Sequence, residues 1–367
     1  MMNKPPRTLF ITGFTGTLGK EFVKEILLTT EDRLYLLIRR QNRFSHWDRA
    51  RKIFLACGLQ YLLGTRVHVL EGDVTLPGFG LRPEEIEEIR SKVQEFYHIA
   101  ALTALNGSEE ECNRINTGGT EKALELAWDF LKQGRLERFF YFSTAYVSGS
   151  RQTFCAREDE LTPEPAHANY YESSKYEAEK KVRLAMAEGM PATIFRPSIV
   201  VGNSTTGEVS EFNVIYPFIK LFAHGILTRL PTRLENSFNI VPIDFVIRAS
   251  LAIAKTKDSI GKTFHLVTED PPSIGELMKL KEAEYPSSPE IVIVPPEEFK
   301  PEALGFESQM VFQMLEPYLG YLNDHLTFET ANTRRALEGT GVALPKTDYN
   351  FLKTLLKYAT DQGYLLV

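Results

Sequence analysis

The chain has 367 residues, 43% of them hydrophobic and 25% charged, with a formal net charge of −6. That length supports a substantial core in one large or two smaller domains, and the acidic balance excludes a general nucleic-acid binder. Three scattered cysteines, Cys57, Cys112 and Cys155, have neither metal-type spacing nor the even count of a disulfide framework, so no metal site is expected and a reducing, cytoplasmic setting is.

The segment before residue 8 is too short for a signal peptide, and the apolar run behind it reads as a buried strand, Thr8 to Thr12. Gly13, Gly16 and Gly19 follow at three-residue spacing. Lys20 to Leu28 then sets Phe22, Val23, Ile26 and Leu27 on one helical face. A strand, a glycine turn and a helix in that order suit a dinucleotide. Glycine permits the tight turn, and the helix N-terminus offers N–H groups to the pyrophosphate. Thr12, Gly13, Thr15, Gly16, Thr17, Leu18 and Gly19 are therefore candidate cofactor residues. The G-x-x-G-x-x-G spacing is a variant of the dinucleotide fingerprint. A Walker A loop is excluded, because Glu21 follows Lys20 and the glycine spacing fails.

Arg33 to Ile38 is a second strand. An NAD site expects a carboxylate about 20 residues past the glycine turn. Arg39, Arg40, Gln41, Asn42 and Arg43 stand there instead, and no acid appears before Asp48. This favours NADP(H), with Arg39 and Arg43 on the 2′-phosphate. Trp47 to Ala56 looks helical. Val67 to Leu70 is a third strand, running into Asp73 and Val74. Asp73 is placed to accept from an adenine amino group, or is simply a turn aspartate.

Pro83 to Val93 reads as a charged helix and Phe96 to Ile99 as the fourth strand. The small Ala100 and Ala101 then let a cofactor lie against the strand end. Asn116 precedes an amphipathic helix, Glu121 to Leu131. It either caps a turn, the plainer reading, or reaches the catalytic helix. Arg138 to Phe142 is the fifth strand and ends in Ser143 and Thr144. Hydroxyls at the carboxyl end of a parallel strand face the ligand crevice.

After a polar stretch from Ser150 to Asn169, a helix opens at Tyr170 and runs to about Glu188. Tyr171 and Lys175 are four apart and share a face. A free tyrosine titrates near about 10. A neighbouring ammonium is expected to lower that value, so that the pair exchanges a proton near neutrality. Tyr176 and Lys180 repeat the spacing one turn on and read as a solvated face.

Ala192 to Phe195 is the sixth strand. The greasiest segment, Phe212 to Leu230, is interrupted by Lys220, His224 and Arg229. It reads as a helix packed over a core, or else as a lipid-facing pocket wall or membrane-surface contact. No run of about 20 apolar residues exists, so no spanning helix is expected. Phe238 to Val241 and Thr263 to Val267 are strand-like, and Ile243 to Lys255 is helical. Further helices fall near Ser273–Ala283, Glu329–Leu337 and Tyr349–Gln362. The expected architecture is α/β, a Rossmann-type doubly wound parallel sheet over residues 1–202 with a return segment at 236–268. Residues 203–235 and 269–367 form a smaller, discontinuous substrate-binding cap.

Thr-Gly-x-x-Gly-x-x-Gly at 12–19, Asp73-Val74, Ser143-Thr144 and Tyr171-x-x-x-Lys175 occur in the order of the extended short-chain dehydrogenases/reductases. The chain resembles that superfamily from residue 8 to about residue 267. Leu-Leu-Ile-Arg at 36–39, Gly-Asp-Val-Thr at 72–75, Ser-Thr-Ala-Tyr-Val at 143–147, Arg-Pro-Ser-Ile-Val at 196–200 and Ile-Val-Pro-Ile-Asp at 240–244 narrow it. They are similar to the fatty acyl-CoA reductase and thioester-reductase branch.

The resemblance implies NADPH-dependent reduction of an acyl thioester, on coenzyme A or a carrier protein, to an aldehyde and with a second hydride to an alcohol. It puts Thr144, rather than Ser143, at the catalytic hydroxyl, makes Tyr171 the proton donor and gives Lys175 the nicotinamide ribose. It adds Pro197, Ser198 and Ile199 to the cofactor residues and allows a homodimer through helices flanking the sheet. The rivals are a nucleotide-sugar epimerase or dehydratase, an alcohol or ketone oxidoreductase, and a non-catalytic NADP sensor. The Arg39–Arg43 stretch speaks against the sugar enzymes, and the joint presence of Thr144, Tyr171 and Lys175 against the sensor.

Overall fold

Seven strands carry the glycine turn and the hydroxyl-bearing segment at their carboxyl ends. The computed structural model describes residues 5–365 apart from 42, 150–153, 213, 214, 225, 227, 324 and 325. The strands are β1 (Thr8–Thr12), β2 (Arg33–Ile38), β3 (Val67–Glu71), β4 (Glu95–His98), β5 (Arg138–Phe142), β6 (Ala192–Pro197) and β7 (Thr263–Leu266). They form one sheet in the order β7-β6-β5-β4-β1-β2-β3. Pairing is parallel from β6 through β3, with Thr12 beside both Leu37 and His98, and Phe142 beside Phe195. This is the Rossmann-type order expected from the sequence, and it reverses direction between β1 and β4. Ligands of such sheets bind at that reversal, outside the carboxyl ends.

Near-continuous apolar strands such as Arg-Phe-Phe-Tyr-Phe (β5) need cover on both faces. The helices that supply it include α1 (Thr17–Thr29), α2 (His46–Ala56), α3 (Pro83–Lys92), α4 (Gly118–Gln133) and α5 (Tyr170–Ala187). Phe10, Phe96, Phe139 and Tyr141 point to the face covered by Ile89 of α3, Phe130 of α4 and Val182 of α5. Their alternate neighbours point the other way. There Phe22 of α1 packs on Tyr97 and Phe142, with ring centres 5.0 and 5.7 Å apart. The period of two along each strand thus sorts the core into two layers.

Two helices start three residues before the sequence expectation. α1 begins at Thr17 rather than Lys20, with Gly16 as its N-cap. α4 begins at Gly118 rather than Glu121, behind a π-helical turn at Asn113–Thr117.

The chain divides into two compact units. The first holds Met1–Val147, Tyr170–Arg196 and Ser250–Phe264. The second holds Ser148–Asn169, Pro197–Ala249 and His265–Val367. Within the second, helix Ile215–Ala223 buries Ile215, Tyr216, Phe218 and Ile219 among side chains such as Leu277 and Leu355. The greasy segment therefore packs into a core, although its positions 213, 214, 225 and 227 lie outside the described residues. The polar stretch after Ser148 pairs its strand Phe154–Ala156 with Leu326–Phe328; its positions 150–153 likewise lie outside the described residues. Glu158 behind that strand is fully buried. It is satisfied by the His265 and Asn332 amides at 2.9 and 2.6 Å and the Thr333 hydroxyl at 2.7 Å. Among the described residues, no helix is long and apolar enough to cross a membrane.

Candidate active site

The turn after β1 is built so that only glycine fits at two points. Gly13 has φ +80°, and a Cβ there would lie 2.5 Å from the Ala100 nitrogen. Gly19 sits inside α1, where a Cβ would lie 2.2 Å from the Gly13 carbonyl oxygen. The turn therefore presses against both the β4 end and its own helix. Gly16 is exposed at the head of α1, which has no acidic residue in its first turn. Thr15, Thr17 and Leu18 flank it, all partly exposed. A helix N-terminus without a side-chain cap, open behind a cradle of bare backbone, fits the pyrophosphate of a dinucleotide.

Thr12 closes the floor of this cradle. Its hydroxyl lies 2.9 Å from His98 Nδ1 and accepts from the Ala100 amide at 3.4 Å. Burial, with Lys175 adding to it, holds the His98 imidazole down to about 3, so the ring is neutral. Ala100 and Ala101 are partly exposed just beyond it.

Arg39, past the end of β2, is exposed and 3.7 Å from the Asp73 carboxylate. Asp73 makes an Asx turn, accepting from the Thr75 amide at 2.9 Å and the Thr75 hydroxyl at 2.8 Å. Val74 packs on the start of α4, where a Cβ on Gly119 would come within 3.1 Å of it. Arg43 is exposed, its guanidinium 5.7 Å from the centre of the Phe44 ring. Arg49 of α2, overlooked in the sequence, donates to the Arg39 carbonyl. The two arginines stand close enough that Arg39 lowers the Arg49 proton affinity, after the larger effect of burial.

The three catalytic candidates meet at the end of β5. The Thr144 hydroxyl lies close enough to the Tyr171 phenol to pull its pKa down. One residue back, the Ser143 hydroxyl donates to Glu179 at 2.7 Å. One further back, the Phe142 carbonyl accepts from Lys175 at 2.6 Å. Three consecutive residues of the strand end thus meet residues 171, 179 and 175 of α5, which are spaced by four and share one helix face. By contrast, Lys180 of the repeated spacing is exposed and pairs with Glu177.

The sequence expectation that Lys175 lowers the Tyr171 pKa is corrected here. Burial pushes the Tyr171 phenol up to about 12, and the neighbouring Thr144 hydroxyl only partly opposes it. The Lys175 ammonium is directed at the Phe142 carbonyl and lies 4.3 Å from the centre of the Tyr141 ring. Burial pulls Lys175 down to about 7, against the upward pull of Glu179 one turn on.

Glu179 and Arg196 were not singled out in the sequence. The Glu179 carboxylate is fully buried, as is Arg196. Arg196 donates to it at 2.6 and 3.0 Å, and Arg183 at 2.8 Å. Burial alone would raise the carboxyl, but the two guanidinium groups and Ser143 outweigh it and hold it at about 2. Asn116 does not cap a turn. It clamps the Leu102 backbone, accepting from its amide at 2.7 Å and donating to its carbonyl at 3.0 Å. It also donates to Ser174 of α5 at 2.9 Å, which is the alternative the sequence left open. The π-helical turn that holds Asn116 is the signal that was missed, since such turns cluster at functional sites. Pro197, Ser198 and Ile199 belong to the second unit, where the Ser198 hydroxyl is buried without a protein partner among the described residues.

Residues 11–250 match the sequence profile of the male sterility protein family of NAD-binding domains. A nonribosomal peptide synthetase of Aspergillus flavus is 28% identical over 370 residues, covering 91% of this chain and 34% of that protein. A putative fatty acyl-CoA reductase of Drosophila melanogaster is 27% identical over 292 residues, covering 67% of this chain and 51% of that one. The chain thus spans about a third to a half of the length of these relatives. The solved terminal R domain from the myxalamid PKS-NRPS biosynthetic pathway is 26% identical, with a TM-score of 0.85 over 100% of this chain and 93% of that one. With the glycine cradle at the sheet reversal and the β5–α5 bonds beside it, the chain belongs to the male sterility-type NAD-binding family of the extended short-chain dehydrogenase/reductase superfamily.

Proposed function

We propose that this protein reduces an acyl thioester, carried on coenzyme A or on a carrier protein, to the aldehyde with NADPH. The observation that carries the reading is the meeting of Thr144 and Tyr171 at the carboxyl end of β5, with Lys175 on the same face of α5 and bonded to the Phe142 carbonyl. When bound, the reduced nicotinamide supplies a hydride to the thioester carbonyl carbon.

The carbonyl oxygen takes its place between the Thr144 and Tyr171 hydroxyls. As negative charge grows on it, Thr144 donates a hydrogen bond and Tyr171 gives up its phenolic proton. A phenol held near about 12 is fully protonated at neutral pH and so begins as the acid. The product of this step, R–CH(OH)–SR′, loses thiol as its hydroxyl returns to a carbonyl and the C–S bond breaks. The sulfur leaves as R′–SH and the aldehyde remains. Lys175, which donates to the Phe142 carbonyl here, would hold the nicotinamide ribose.

Arg39, with Arg49 beside it, and the exposed Arg43 of the same stretch support the 2′-phosphate and hence NADPH over NADH. The remaining cofactor residues keep the assignments made from the sequence, with the glycine cradle on the pyrophosphate. Choice of the acyl group falls to the second unit, since residues 251–367 lie outside the matched family segment.

The reading is tested with purified protein, NADPH and a panel of acyl-CoAs, acyl-carrier-protein thioesters, aldehydes and nucleotide sugars. NADPH oxidation matched by free thiol is the expected result. Turnover of a nucleotide sugar alone would overturn it.

A further inference from the structure

One buried carboxylate joins every backbone segment that presents a catalytic candidate. Glu179 lies on α5, four residues after Lys175 and eight after Tyr171. It receives Ser143, which directly precedes Thr144, and Arg196, near the end of β6. Thr144 and Tyr171 sit on separate elements whose mutual register is not fixed by backbone pairing, because one is a strand end and the other a helix. The Ser143–Glu179 bond crosses the same gap one residue away.

We propose that Ser143 and Glu179 are positioning residues: their hydrogen bond sets the strand end against α5 so that the Thr144 hydroxyl meets the Tyr171 phenol. The proposal rests on the thioester-reductase reading given above. Its physical basis is anchoring strength. A hydroxyl bonded to an ionised, fully buried carboxylate makes a strong, short hydrogen bond. The carboxylate cannot swing, because Arg196 grips it through two nitrogens and Arg183 through a third. Ser143 is thus tied to a fixed post on the helix, whereas the contact between the neutral Thr144 and Tyr171 hydroxyls is weaker and gives way each time a substrate oxygen enters. A hydroxyl misplaced by a fraction of an ångström loses its effect on the transition state.

The test is a double-mutant cycle on the full chain with an acyl thioester and NADPH. Ser143→Ala keeps three of the four hydrogen bonds to Glu179, so the fold survives. It is expected to lower kcat about tenfold with KM for NADPH within about twofold of the parent. Ser143→Thr keeps the hydroxyl and is expected to recover kcat to within about threefold of the parent. In a Thr144→Ala background, Ser143→Ala is expected to cost no more than about twofold further, because the group it positions is gone.

The same tenfold loss in both backgrounds would mean a general structural role and overturn the proposal. So would parental kcat in Ser143→Ala. If Thr144→Ala itself turns over at the parental rate, the proposed chemistry fails and takes this inference with it, an outcome distinct from the other two.

Discussion

The Lys175 ammonium lies 4.3 Å from the centre of the Tyr141 ring while donating to the Phe142 carbonyl at 2.6 Å. Among the described residues, this buried cation is therefore held by a ring face, one carbonyl and the field of Glu179 rather than by an ion pair of its own. Tyr171, which shares its helix face, has the Thr144 hydroxyl beside it instead.

That arrangement makes stability depend on pH in a defined direction. Lys175 in the folded, cofactor-free protein titrates at about 7, below its ordinary value of 10.5. Between these values the unfolded chain binds more protons at this site than the folded one, so the contribution to stability rises with pH. Lys175→Met removes the effect. The parent is expected to gain stability relative to this variant between about pH 7 and pH 10, read from urea midpoints at matched pH. A constant difference across that range would contradict the account of Lys175.

Tyr171→Phe removes the proton and keeps the ring. It is expected to lose on the order of a hundredfold or more in thioester turnover, with NADPH affinity close to that of the parent. Steady-state kinetics and a fluorescence titration check the two halves. Unchanged turnover would remove Tyr171 from its role.

Arg39→Ala combined with Arg43→Ala tests cofactor choice. NADPH affinity is expected to fall about tenfold or more, while NADH affinity changes little, because only the former carries the 2′-phosphate. Calorimetric titration of both cofactors decides it. Equal NADPH affinity in parent and variant would contradict the phosphate assignment.

The sequence carried those parts of the site that local pattern encodes. Gly13, Gly16 and Gly19 betray a turn, which backbone contacts at Gly13 and Gly19 close to any side chain, and the apolar runs of β1, β2 and β5 betray a sheet covered on both faces. Tyr171 and Lys175 stand out through their spacing at a helix start. What stayed hidden depends on distance in the chain. Glu179 meets Ser143 across 36 positions and Arg196 across 17, and no local pattern marks such a union. The helix Phe306–Leu319 went unread because Pro317 lies inside it. The strands Phe154–Ala156 and Leu326–Phe328 are three residues long, too short for a period of two to register. The Tyr171 pKa came out on the wrong side because spacing reveals neither burial nor where the Lys175 charge is aimed.

The most direct test of the central claim follows the hydride itself. The protein is given an acyl thioester and NADPH deuterated at the transferring position, and product aldehyde, thiol and oxidised cofactor are counted together. One deuterium on the aldehyde carbon, with one thiol released per cofactor oxidised, is the predicted result. Aldehyde without deuterium, or cofactor oxidation with no thiol released, would contradict it.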